Sequence, residues 1–317
     1  MGVNTTAASL LARARRIERT SGVGVRHGRK GGWLDRQFAR IAVLPTAAMM
    51  LLIFGLPLLF SLYLSFENWA PEQSLFDGRF DGLANYRDLL TDPDFVGSMG
   101  ITFAYTAATV AAELAAGMGI ALLLNIDLPW IGFFRTVLVV PMMITPIVAG
   151  LCWKLLLDPD RGVINYWIGH HIVWLGQPET ALLSVGLVNV WQNAPYVAVL
   201  LLAGLRSLPS EPMEAASIDG ARRLQAFWHV TLPLLRPYIL VALLLRVIFE
   251  FRAFDNIYVM TSGGPANATM VLSMYTYLTS FVRFDLSLGA AASWMMLLMS
   301  LLLCLFFIAV IRRRDAT

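Results

Sequence analysis

Two sets of polar residues interrupt apolar stretches of this sequence at helical spacing. Asn189, Gln192, Asn193 and Tyr196 fall at i, i+3, i+4 and i+7, so they share one face of a helix. Arg246, Phe249, Glu250 and Ala253 repeat that spacing. Amides beside an aromatic ring are what recognition of hydroxyl groups needs: donors and acceptors side by side, and a flat surface for a ring to lie on. The competing reading is structural, with the same side chains hydrogen-bonding neighbouring helices. Both stay open from the sequence. Arg246 and Glu250 can pair at i,i+4, although cation-first is the weaker order. Pro195 frees a backbone carbonyl near Trp191 and favours a kink there.

Other chemistries find little support. Cys152 and Cys304 both sit in apolar runs and read as small buried hydrophobes. His27, His170, His171 and His229 form no recognisable ligand set, and no metal site is expected. The chain has no Gly-x-x-x-x-Gly-Lys-Ser/Thr phosphate loop. No catalytic residues are expected, and any ATP chemistry must come from another subunit.

The elements that must position these residues follow from composition. The 317 residues are 57% hydrophobic and only 14% charged, against about 25% charged in soluble domains. Mean hydropathy is +0.65. A net charge of +3 is too small for a nucleic-acid binder. An all-α polytopic membrane protein is predicted, with six helices at roughly 41–66, 101–125, 130–157, 181–205, 237–260 and 287–311. Counted from 237, Arg246 lies about nine residues, or 14 Å, into its helix, near mid-bilayer. Most of the 24 Lys and Arg fall in alternate loops and at the ends, including Arg13, Arg15, Arg16, Arg206, Arg222, Arg223 and Arg312 to Arg314. That bias places both termini in the cytoplasm. Residues 1–40 form a basic cytoplasmic segment, 41–311 the membrane domain and 312–317 a tail. The basic segment lacks the apolar centre of a cleavable signal. It reads as a positive tail, or as an amphipathic helix with Leu10, Leu11 and Ile17 on one side.

Single polar residues have quieter readings. Glu113 reads as a satisfied bundle residue or a contact with a second subunit. Lys154 and Asp158 can snorkel to the outer interface, and Arg252 can pair with Asp255 at i,i+3. Gly117, Gly119 and Gly289 suit close helix packing.

The stretch 206–237 is too structured for a passive linker. Ser210 suits an N-cap, Pro212 the first turn, and Glu211 and Glu214 the positive end of a helix dipole. Gly220 can end that helix in the left-handed region. Leu224, Phe227, Trp228 and Val230 then make a second, apolar piece, and Pro233 and Pro237 mark the start of the fifth span. Aromatics here suit a soluble partner, or the membrane interface; both remain open on physics alone.

Glu214-Ala215-Ala216, Gly220 and Val230-Thr231-Leu232-Pro233 resemble the EAA loop of bacterial ABC-importer permeases, with valine in place of isoleucine. Asp219-Gly220-Ala221 and the run Phe254-Asp255-Asn256-Ile257-Tyr258-Val259-Met260-Thr261-Ser262-Gly263-Gly264-Pro265 resemble the carbohydrate-uptake branch of that family. The resemblance implies a type I importer fold in a bacterial cytoplasmic membrane and a sugar, oligosaccharide, polyol or glycoside as cargo. It implies a second permease subunit, two ATPase subunits carrying ATP and magnesium, and an extracytoplasmic solute-binding protein. Glu214, Ala215, Ala216, Asp219, Gly220, Ala221, Phe227 and Pro233 would couple the chain to the ATPase. The two polar stripes would line the route. The alternative is an ion-coupled secondary transporter using Glu113, Glu250 and Asp255, for which the sequence shows no inverted repeat.

Overall fold

Long apolar runs leave a backbone no partner but itself, so they fold as helices. The computed structural model describes residues 43–69, 78–126 and 129–315, with side chains to 310. The basic segment 1–40, its candidate amphipathic helix and the side chains of Arg312 to Arg314 lie outside the described residues. The chain divides into two units, Met1–Leu59 and Phe60–Thr317.

In the first unit the described residues belong to helix α1 (Val43–Ser65), whose last turn lies in the second. A π turn at Leu51–Gly55 precedes Pro57. Proline cannot donate to the carbonyl four residues back and crowds it, and a widened turn at that position relieves both.

The second unit opens with a two-residue hairpin, β1 (Glu67–Asn68) against β2 (Arg79–Phe80), and a short helix α2 (Ala84–Thr91). Helix α3 (Pro93–Leu124) starts where Asp92 caps the Asp94 N–H at 2.8 Å and Pro93 takes the first turn. Next come α4 (Ile131–Met143), α5 (Pro146–Leu156), the short α6 (Val163–Ile168) and α7 (Pro178–Ser207). After α8 (Glu211–Ile218) comes α9 (Arg223–Glu250). The chain closes with α10 (Asp255–Met260), α11 (272–282, ending in a π turn at Leu278–Val282) and α12 (Leu286–Asp315).

Five of these helices are long and apolar enough to cross a membrane, and α4 with α5 makes a sixth, broken span. Two expectations are corrected here. The third span is not one helix: α4 and α5 meet at 97° across Ile144-Thr145, with Pro146 opening the second. The fifth span does not begin at 237. Helix α9 starts at Arg223 and runs through both Pro233 and Pro237, with a π turn at Phe227–Thr231 before Pro233 as before Pro57. It stops at Glu250 rather than 260, so Arg246 stands one turn from its end.

Helix pairing relies on small residues, as expected where lipid is as apolar as leucine. A Cβ on Gly117 of α3 would lie 2.6 Å from Val197 of α7, and one on Gly204 of α7 would lie 2.6 Å from the Tyr238 ring of α9. Gly289 is tighter still against Ser280, whereas Gly119 meets nothing. Two apolar clusters result. One includes Tyr105, Val188 and Phe251; the other includes Ala121, Val197, Leu235 and Ala242. Glu113 of α3, Asn189 and Gln192 of α7, and Arg246 and Glu250 of α9 are buried between them. Neither cysteine joins a core: Cys152 is exposed and Cys304 half-buried, because the apolar faces carrying them point outward.

Candidate functional site: a charged cavity between two broken helices

Where α9 ends, its last turn meets α7 and α3. Arg246 donates from Nε and Nη2 to the two oxygens of Glu113, at 2.7 and 2.9 Å. It also donates to Glu250, whose other oxygen accepts from the Asn189 amide. All four residues are buried, Glu113 completely. Burying three charges is costly unless each is paired and hydrogen-bonded, and the fork of guanidinium donors meets that condition. Glu113 is therefore a satisfied bundle residue. The expected Arg246–Glu250 pair forms, but as one side of a three-charge cluster. The expected Arg252–Asp255 pair does not form, because the helix ends at Glu250 and the i,i+3 geometry is lost.

The first stripe divides its work. Asn189 joins the charged cluster, and Asn193 donates to the Asn189 carbonyl and side-chain oxygens at 3.0 and 2.8 Å. Gln192 donates to the Ile144 carbonyl at 2.8 Å, a group exposed by the α4/α5 break, and accepts from Asn256 at 3.1 Å. Tyr196 packs against the second apolar cluster. Trp191 stands edge-on to Trp153, with centroids 5.4 Å apart.

These elements enclose a cavity of about 470 Å³, lined by Tyr105, Pro146, Asn189, Asn193, Arg246, Phe249, Glu250, Arg252, Ala253, Phe254, Asp255 and Asn256, among others. Gln192 and Tyr196 do not line it. Eight further wall residues carry it past the two stripes, Tyr105, Pro146, Arg252, Phe254, Asp255 and Asn256 among them, with Ile248 and Ile257. Asn256 was legible only inside the longer motif, and Tyr105 gave no signal, being an aromatic in an apolar run. The Tyr105 hydroxyl and the Asn256 Oδ1 are buried without a protein partner. Such groups call for a partner from outside the fold. The carboxylates of the ion-coupled alternative form no relay, since Glu113 and Glu250 both spend their oxygens on Arg246 and Asn189.

At the end of the bundle where the chain passes from α10 to α12, the connecting segments are tied down by polar contacts. Tyr275 donates to Asp92 at 2.6 Å, and burial, with that carboxylate, pushes the phenol up from its ordinary range. Lys154 donates to the Val259 carbonyl at 2.9 Å. Asp158 accepts from the Asp160 and Arg161 N–H groups at 3.0 and 2.8 Å.

The other end carries α8. It closes with a complete Schellman arrangement: Gly220 has φ +76°, its N–H donates to Ser217 O at 3.1 Å, and Ala221 N–H donates to Ala216 O at 2.9 Å. Ser210 stands at the N-cap position but makes no capping bond, and Glu211 and Glu214 occupy the first turn. Glu214, Ala215, Asp219 and Gly220 are exposed, Ala216, Ala221 and Phe227 half-buried. Thr231 bonds the Met213 sulfur at 3.4 Å, and so docks α8 on the π turn of α9. Ile218 at 87% exposure, Leu224 at 69% and Trp228 at 57% leave an apolar knob uncovered. Pro233 lies inside α9 rather than ending the loop.

Known proteins share this architecture. Residues 21–316 match the family described as binding-protein-dependent transport system inner membrane component. A probable ABC transporter permease of Sinorhizobium fredii is 42% identical over 255 residues, 79% of this chain and 82% of the relative. A trehalose/maltose transport system permease of Thermococcus litoralis is 32% identical over 289 residues, 89% of this chain and 96% of the relative. A chain from the crystal structure of a bacterial alginate ABC transporter, in complex with an alginate pentasaccharide-bound periplasmic protein, has the same fold. Its TM-score is 0.78 at 22% identity, over 92% of this chain and 99% of that one. With the family matched over nearly its whole length, this chain belongs to the multi-pass inner membrane components of binding-protein-dependent transport systems.

Proposed function

We propose that the protein is the permease subunit of an ATP-driven importer for a sugar, oligosaccharide, polyol or glycoside. It would sit in a bacterial cytoplasmic membrane with both termini inside. It would pair with a second permease, two ATPase subunits that bind ATP and magnesium, and a solute-binding protein on the outer face. The observation that carries this reading is the continuity of α9. The helix that begins at the exposed knob, where an ATPase would dock, ends at Glu250 in the cavity wall.

The cavity suits a polyhydroxylated cargo. Asn189, Asn193 and Asn256 offer amides, Phe249 and Phe254 offer ring faces, and the Tyr105 hydroxyl awaits a partner. Polar groups converging beside apolar and aromatic walls are what fixes the orientation of a small molecule in such a site. Glu214, Ala215, Ala216, Asp219, Gly220, Ala221, Phe227 and Pro233 form or support the ATPase contact. Asn189, Asn193, Arg246, Phe249, Glu250 and Ala253 line the route, while Gln192 and Tyr196 hold it in shape. Purification of the tagged protein from its native membrane in mild detergent should recover an ATPase and a second permease. Glu214→Ala should abolish sugar uptake while leaving membrane insertion unchanged. A chain reproducibly free of any ATPase would overturn the reading.

A further inference from the structure

The cavity accounts for Phe254 but not for the rings beyond it. Phe254 lies flat against Tyr258, centroids 5.2 Å apart and planes 14° apart. Tyr277 stands against both, 5.2 Å from Phe254 and 5.3 Å from Tyr258. Phe281 extends the series at 5.7 Å from Tyr277. Two separate pieces of chain build this run. Phe254 and Tyr258 are four residues apart at the start of α10, and Tyr277 and Phe281 are four apart in α11, so each pair shares a helix face. One end is the cavity wall, and the other is a ring 64% exposed.

Contiguity is what needs explaining. Exposed rings are ordinary on a lipid-facing surface, as at Phe133 and Phe306, but these four touch in series across two segments, with Tyr258 39% exposed and Phe281 more so. A belt at the headgroup level accounts for aromatics scattered around a bundle, but not for a contiguous file that ends at a polar, charged cavity.

We infer that Phe254, Tyr258, Tyr277 and Phe281 form a track on which the pyranose rings of the cargo stack on their way to the cavity. This rests on the carbohydrate-import reading above. A pyranose presents C–H groups on one face, and these settle on the electron-rich face of an aromatic ring. Its hydroxyls remain hydrated or meet the two phenols. Such a contact demands no particular hydroxyl pattern, and the near-equal ring spacings let a sugar reach the next ring before leaving the last. The track conducts, and discrimination falls to the amides of the cavity.

The test uses the whole importer in cells, with Cys152 and Cys304 replaced by serine. Tyr277→Cys and Phe281→Cys should react with a membrane-impermeant maleimide added outside, and maltose or trehalose with the binding protein should slow the reaction. Tyr277→Ala should raise KM for uptake of the imported sugar about tenfold, the equivalent of one good aromatic contact, and Tyr277→Phe should restore it. Reaction only with a lipid-soluble maleimide would make the rings a lipid-facing belt and overturn the track. Reaction only when the second permease is absent would make them a subunit interface, with the same consequence. Water-accessible rings whose replacement leaves KM unchanged overturn the track alone. A parent chain that imports no sugar overturns the carbohydrate reading and the track with it.

Discussion

Arg246 serves two carboxylates at once, and that inequality ranks the substitutions around it. Arg246→Gln leaves Glu113 and Glu250 buried and facing each other with no cation between them. Breaking a buried ion pair in this way costs about 3–5 kcal/mol. Glu113→Gln removes a bidentate pair but leaves Arg246 with Glu250, a neutral remainder, and its cost is that of a weakened charged hydrogen bond, about 1.5–3 kcal/mol. Thermal unfolding of the purified variants should therefore place Arg246→Gln well below Glu113→Gln, and the opposite order would show the cluster is not held as drawn. Glu250→Gln belongs to a different column, because Glu250 lines the cavity while Glu113 does not. It should lower uptake while the amount of co-purifying ATPase stays constant.

Elements depend on single close approaches. Helices α3 and α7 meet where Gly117 faces Val197, and any side chain at 117 must displace that valine. Overpacking costs about 1–3 kcal/mol, so Gly117→Leu should lower the melting temperature of the purified protein, and Gly119→Leu, which meets nothing, should not. At the knob, Gly220 holds φ +76° with open space around it. Gly220→Val therefore strains only the backbone, by about 1–2 kcal/mol. It should re-aim α8 and reduce uptake without loss of protein from the membrane. Unchanged uptake would mean the Schellman turn does not set the docking geometry. The elements also explain what the sequence conceals. Pro141 and Pro146 flank the α4/α5 break, yet hydropathy stays high across Ile144-Thr145, so composition reads one span where the backbone turns. Pro233 misleads in the opposite sense, because a π turn absorbs the missing N–H and the helix continues.

Across the whole molecule, local signals were legible and distant pairings were not. Gly220 declares its conformation through its residue type, and Arg246 announces Glu250 through spacing of four. Nothing in the sequence ties Glu113 to Arg246, 133 positions away, and nothing marks Tyr105 as a cavity residue. Apolar runs fix that a helix forms, but which polar face meets which is decided by close packing at Gly117 and Gly204.

That second glycine has a mechanical consequence. Where Gly204 admits Leu235 and Tyr238, α9 lies close against α7, and a fulcrum at this contact would divide the rod. Measured along the helix, roughly 18 Å separates Leu235 from Arg223 and roughly 22 Å separates it from Glu250. The two arms are nearly equal. A rigid swing about that point would deliver a thrust at the knob to the charged cluster almost undiminished, and in the opposite direction.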